Sequence, residues 1–212
     1  MASKNILASF QSILNVQYNT MRSSQSFSFG LFGALILLGL CVIIRPDSLS
    51  VNYGLSYFGI FSSTIVPYAA AFLIYALFLW KASEVRFEDS RRGKILTWVM
   101  RVMSIQVIGL LLTPYNRLYN VHVFFGASLF SLQLLLSLAL LKWLVYNWIN
   151  TSLVIAEFLS GLASLYYLPL SHGLLLQTQV VFQLVFGFLL IRMLRSIETS
   201  KVTRPIPGMP IS

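Results

Sequence analysis

The chain reads as an all-α, polytopic six-helix transmembrane bundle with both termini in the cytoplasm. Three observations predict this. The 212 residues are 57% apolar and only 10% charged, against roughly 25% charged in a soluble domain. The apolar residues gather into six runs, each near the roughly 20 residues of helix that a bilayer core of about 30 Å requires. Once those runs are threaded across a membrane, twelve of the fifteen Lys and Arg residues fall on one side.

The six predicted spans are 27–44, 57–80, 95–112, 121–141, 151–168 and 174–194. Lipid offers no hydrogen bonds to a bare backbone, so only helices or closed barrels cross it. Barrel strands alternate apolar and polar residues, whereas runs such as Leu134, Leu135, Leu136 do not. The spans are therefore helices.

The charges then orient the bundle. Lys4 and Arg22 precede the first span, five basic residues from Lys81 to Lys94 follow the second, and Lys142 follows the fourth. Arg192, Arg195, Lys201 and Arg204 close the chain. The opposite side carries only Arg45 and Arg117. The excess of basic residues marks the cytoplasmic side. Trp80, Trp98, Trp143 and Trp148 fall near the basic ends of the spans, and Tyr53, Tyr57, Tyr115 and Tyr119 near the other ends, as headgroup-level aromatics do.

Residues 1–26 form a cytoplasmic tail, with Ile6, Leu7, Phe10, Ile13 and Leu14 at the spacing of an interfacial amphipathic helix. Residues 27–194 form the transmembrane domain. Residues 195–212 form a flexible cytoplasmic tail, extended and mobile from Ser200 onward, where Pro205, Pro207 and Pro210 cluster.

The formal charge of +9 sits beside apolar spans and suits anionic lipid better than nucleic acid, so membrane lipid is the expected partner. The one cysteine, Cys41, allows no internal disulfide. No Cys/His metal spacing and no cofactor motif is present, so neither a metal nor a cofactor is expected.

Small and amide side chains recur at four-residue spacing: Gly59, Ser63, Pro67 and Ala71; Ala156, Ser160 and Ser164; Gln179, Gln183 and Gly187. Such stripes let helices approach closely, and Pro67 inside the second span predicts a kink. Two ionisable residues lie within spans, Arg101 and Glu157. Each is six residues from the basic end of its span, so both sit about 9 Å deep. Opposite sign at equal depth predicts an intramembrane ion pair, with snorkelling of Arg101 to the headgroups as the alternative.

The charge-poor side concentrates hydrogen-bonding groups. Asp47, Ser56, Asn120, His122 and His172 are the candidate ligand- or lipid-binding residues, and they are expected to approach one outward-facing polar cavity. No residue is assigned a catalytic role.

The stretch Arg45-Pro46-Asp47-Ser48-Leu49-Ser50, the Ser56-x-x-Gly59 element and His122 opening the fourth span resemble an uncharacterised prokaryotic family of six-helix integral membrane proteins. That family is a domain of unknown function, distantly similar to the Frag/DRAM/Sfk membrane proteins. Tyr57 and Phe58 stand where it usually carries an acidic residue. The resemblance implies the six-helix fold, a prokaryotic plasma membrane location and an association with lipid. The expected function is a non-enzymatic membrane protein that binds or organises lipid. A small transporter or channel lined by Arg101, Gln106, Gln133, Glu157 and Gln183 is the alternative. A second alternative rests on Ser128 and His172, which are similar to the serine and histidine of rhomboid intramembrane proteases. Leu129 replaces the glycine that follows that serine.

Overall fold

The computed structural model describes residues 23–51, 53–83, 91–143, 147–167 and 173–202. Six α-helices carry the fold: α1 (Ser23–Ile44), α2 (Ile65–Ser83), α3 (Arg91–Leu112), α4 (Tyr119–Trp143), α5 (Trp148–Tyr167) and α6 (Leu175–Val202). No strand occurs among the described residues. All six are long and apolar enough to cross a membrane. The shortest, α2, has 19 residues, or about 28 Å at 1.5 Å per residue. Phe29, Ile36, Ile43, Val66, Leu77 and Trp98 are among many large apolar side chains left exposed. That is the surface a lipid solvent selects.

Each helix packs on the next in sequence, and α1 also packs on α6, so the six form a closed ring. The α4 and α6 helices touch as well. Contacts at the basic end tie the two ends of the bundle: the Ser24 backbone N–H and Oγ donate to Glu198 at 3.1 and 2.7 Å. Arg192 Nε donates to Asn150 Oδ1 at 2.8 Å. The first and last helices thus begin and end on the same side, as an even number of crossings requires.

Local chemistry sets the helix ends. Arg45 precedes Pro46, whose ring disfavours helical backbone at the residue before it, and α1 stops at Ile44. Pro114 likewise lies just beyond the end of α3. Asn147 caps α5 by accepting the Ile149 N–H at 2.9 Å.

The second helix differs from the expected span of 57–80. Residues Pro46–Leu49 and Gly54–Gly59 form two short 3-10 turns, and α2 starts only at Ile65. The stretch between is apolar, but Thr64 Oγ1 donates to the Phe58 carbonyl at 2.7 Å and fixes a turn there. Pro67 then falls in the first turn of α2, where backbone N–H groups lack helical partners anyway. The mid-helix kink expected from Pro67 has no basis in that position. At the other end of the chain, α6 runs past residue 194 to Val202, so the tail expected from 195 is helical through Val202, including Ser200. Residues 1–22 and 203–212, with the amphipathic helix expected in the first, lie outside the described residues.

The main core fills the basic half of the ring, with Phe27, Leu31, Leu79, Met100, Met103, Leu140 and Phe186 at its centre. A smaller cluster of Cys41, Tyr57, Phe58, Tyr68 and Leu176 lies beneath the 3-10 turns. Phe58 is fully buried there and anchors the second turn. The small-residue stripes serve packing: a Cβ on Gly187 would come within 2.5 Å of the Leu31 side chain.

Candidate functional site

The α1–α2 connection folds over the charge-poor end of the ring. Two glycines seat it. Gly54 has φ +57° and Gly173 φ +70°, the left-handed region that favours glycine. A Cβ on Gly54 would also lie 2.3 Å from Gln179 Oε1, and one on Gly173 would lie 2.6 Å from the Ser50 carbonyl oxygen. The same Gln179 oxygen accepts the Leu55 N–H at 2.9 Å. Gln177 Nε2 donates to the Leu49 carbonyl at 2.9 Å. The start of α6 therefore holds both 3-10 turns.

Two polar clusters flank the second turn. In the first, Arg45 Nε and Nη2 donate to the two Asp47 carboxylate oxygens at 2.9 and 2.7 Å. Arg45 Nη2 also donates to Tyr57 Oη at 2.9 Å, and that hydroxyl donates onward to Asp47 Oδ2. The guanidinium carbon lies 3.7 Å from the Phe61 ring centroid, a cation–π contact. The hydrogen bond from Arg45, then that from Tyr57, holds the Asp47 carboxyl well below the usual carboxylate range. The bond to Asp47 raises the Tyr57 phenol.

In the second cluster, Ser56 Oγ lies 2.6 Å from His122 Nε2, and His122 Nδ1 lies 2.6 Å from the Thr113 carbonyl oxygen. A carbonyl only accepts, so Nδ1 carries the proton. His122 Nε2 is then an acceptor and the Ser56 hydroxyl donates to it. Thr113 follows the last residue of α3, where carbonyls have no helical partner. His122 is buried at 6% exposure, and Ser56 is half-buried. The Tyr115 ring stands edge-on to the imidazole, 5.7 Å between centroids. Tyr53 stacks on Tyr57 and meets Tyr115 edge-on, joining the two clusters.

Beneath the turn are two partly open pockets of about 90 and 140 Å³. Leu31, Leu35, Ala71, Phe72 and Val107 line the first. Gly126, Gln133, Ser164 and Gln179 line the second. Leu55, Leu129 and Gln183 border both. Gln133 and Gln183 exchange amide hydrogen bonds at 2.9 and 3.1 Å, tying α4 to α6.

Of the five candidates, Ser56 and His122 touch. Asp47, on the first 3-10 turn, is bonded by Tyr57, the residue after Ser56. Asn120 is exposed and takes no part in either cluster. His172 lies outside the described residues. The expected Arg101–Glu157 ion pair is not made. Arg101 Nε donates to Ser83 Oγ at 3.3 Å, with its guanidinium 5.3 Å from the Trp80 ring. Both partners lie in the last turn of α2. Glu157 is fully buried, and among the described residues neither of its carboxyl oxygens has a hydrogen-bond partner. Equal depth did not bring them together because α3 neighbours α2 and α4, while α5 neighbours α4 and α6.

Gln106 Nε2 donates to Ser128 Oγ at 2.7 Å, so that serine is engaged at the α3–α4 contact. Arg101, Gln106, and the Gln133–Gln183 pair make three separate sets of contacts rather than one lining. Two parts of the site escape sequence reasoning. The Thr113 carbonyl carries no signal in its side chain. The Arg45–Asp47 pair did have one: a proline between two opposite charges turns both onto one side. No family model matches the sequence, and neither a curated protein nor a solved structure matches it.

Proposed function

We propose that this six-helix membrane protein binds a membrane lipid at its charge-poor end, with that end facing the exterior. The positive-inside rule supports the orientation, since twelve basic residues lie on the other side. One observation carries the ligand class. Leu55 borders both pockets, while the next residue, Ser56, bonds His122. A single short turn thus lies over one apolar pocket, that of Leu31, Leu35, Ala71, Phe72 and Val107, and bears the polar surface above it, the division of chemistry an amphiphile requires. Each cavity is smaller than the roughly 300 Å³ of an ordinary ligand pocket. Binding therefore needs Leu55 to withdraw and an acyl chain to take its place, with the headgroup against His122 and the Arg45–Asp47 pair. The resemblance to an uncharacterised six-helix family, itself distantly similar to the Frag/DRAM/Sfk membrane proteins, implies the same class of partner.

Native mass spectrometry of gently purified protein tests this. The unmodified chain should retain a lipid adduct, and Leu55→Trp, which fills the cavities, should lower its occupancy at least about fivefold. Leu55→Trp retaining as much lipid as the unmodified chain, or no adduct on either, would contradict the reading.

A further inference from the structure

We propose that Ser56 is a nucleophile and His122 its general base, making the charge-poor end an acyl-transfer centre for an ester of membrane lipid. The substrate class rests on the lipid-binding reading above; the dyad does not. The geometry is ordered in the way nucleophilic catalysis needs: nucleophile, base, and a third group that fixes the base. Ser56 Oγ lies 2.6 Å from Nε2 of His122, and Nδ1 lies 2.6 Å from the Thr113 carbonyl. The carbonyl selects the tautomer whose Nε2 lone pair faces the serine hydroxyl, the role a buried aspartate plays in the familiar triad. A carbonyl brings no negative charge to steady an imidazolium, so this centre should be slower than a triad.

A purely structural clamp is the competing account, and the turn has little use for one. Phe58 is fully buried beneath it. Gln179 holds the Leu55 N–H, and Thr64 holds the Phe58 carbonyl. Three independent contacts already seat the segment. Ser56 meanwhile stays half-buried, whereas its base His122 is buried.

The step balances without a cofactor. His122 Nε2 takes the hydroxyl proton as Ser56 Oγ adds to the ester carbonyl carbon. The tetrahedral intermediate collapses, the carbon–oxygen bond to the alcohol breaks, and the leaving alcohol takes the proton from Nε2. An acyl-Ser56 and a neutral His122 remain. Water or a second alcohol then attacks the acyl group by the same proton route in reverse and frees Ser56.

A fluorophosphonate probe tests the dyad on the full-length chain in native membranes, with the modified residue located by peptide mass spectrometry. The expected result is phosphonylation of Ser56 in the unmodified protein, which needs no variant to interpret. His122→Gln should slow that labelling about 100-fold or more, the scale of a lost general base. Ser128→Ala should leave it unchanged. No modification, modification only at another serine, or an undiminished rate in His122→Gln would overturn the proposal. The two readings separate cleanly. A lipid adduct with no labelling removes the dyad and keeps lipid binding. Labelling of Ser56 with no adduct removes lipid binding and keeps the dyad.

Discussion

Glu157 shows how one side chain changes the arithmetic of a membrane interior. It is fully buried, with neither carboxyl oxygen bonded among the described residues. Removing one partner of a buried ion pair is strongly destabilising, by about 3–5 kcal/mol, so a pair with Arg101 would make Glu157→Gln costly. Without the pair the sign reverses: the amide removes any charge that burial penalises. Glu157→Gln should match or exceed the unmodified protein in detergent melting temperature, and a fall of several degrees would show a partner that the geometry lacks. The Arg45–Asp47–Tyr57 cluster gives a pH signature at the same scale. Asp47 is held below the usual carboxylate range by Arg45 and then by Tyr57. Its contribution is present above the unfolded carboxylate range and is lost only as pH falls through the lower, folded value. The Tyr57 phenol is raised, so its contribution is whole below about pH 10, the ordinary phenol range, and is lost as pH rises through the folded value. Tyr57 should be one of the late-ionising phenols in tyrosinate absorbance, and Tyr57→Phe should reduce that late component by one phenol. An unchanged titration would contradict the bonded geometry. Of these residues, Ser56 and His122 were legible in the sequence as polar groups at one end of the bundle. Their contact was not, because nothing in the sequence aligns a turn before α2 with the first turn of α4.

Among the elements, the spans were the most legible part, since a bilayer imposes both length and polarity on each helix. The exception is instructive. The residues from Tyr57 to Thr64 are apolar enough to pass for the start of the second span, yet they form a 3-10 turn and a bend. Hydropathy measures the solvent a segment prefers, and the bundle itself buries the apolar start of this one: Tyr57 and Phe58 are in the core. The contact between α1 and α2 makes an independent prediction. A Cβ on Gly30 would lie 2.2 Å from Phe78 Cβ, an atom fixed to the backbone that cannot swing aside. Gly30→Ala should therefore push the two helices apart and destabilise the protein by about 1–3 kcal/mol, the usual range for overpacking. Gly39, with nothing within 4 Å of a Cβ, is the control. A Gly39→Ala variant should stay within about 0.5 kcal/mol or gain stability. Equal losses at both positions in a denaturation series would deny the close approach of α1 and α2.

For the whole molecule, the ring of six helices places every functional candidate that lies among the described residues, apart from Arg101 and Glu157, at one end. The basic residues crowd the other. Their separation predicts a topology: after Cys41→Ala, a cysteine at Ser62 should react with an impermeant reagent added outside intact cells, and one at Ser200 should not. The reverse pattern would invert the molecule. If the turn carrying Leu55 and Ser56 covers a lipid-binding pocket, a benzophenone amino acid in place of Leu55 should photo-crosslink lipid in native membranes. Lipid adducts are expected at position 55, reduced sharply when the same group is moved to the exposed Ser62. Crosslinks only within the chain, or equal lipid adducts at both positions, would contradict such a pocket.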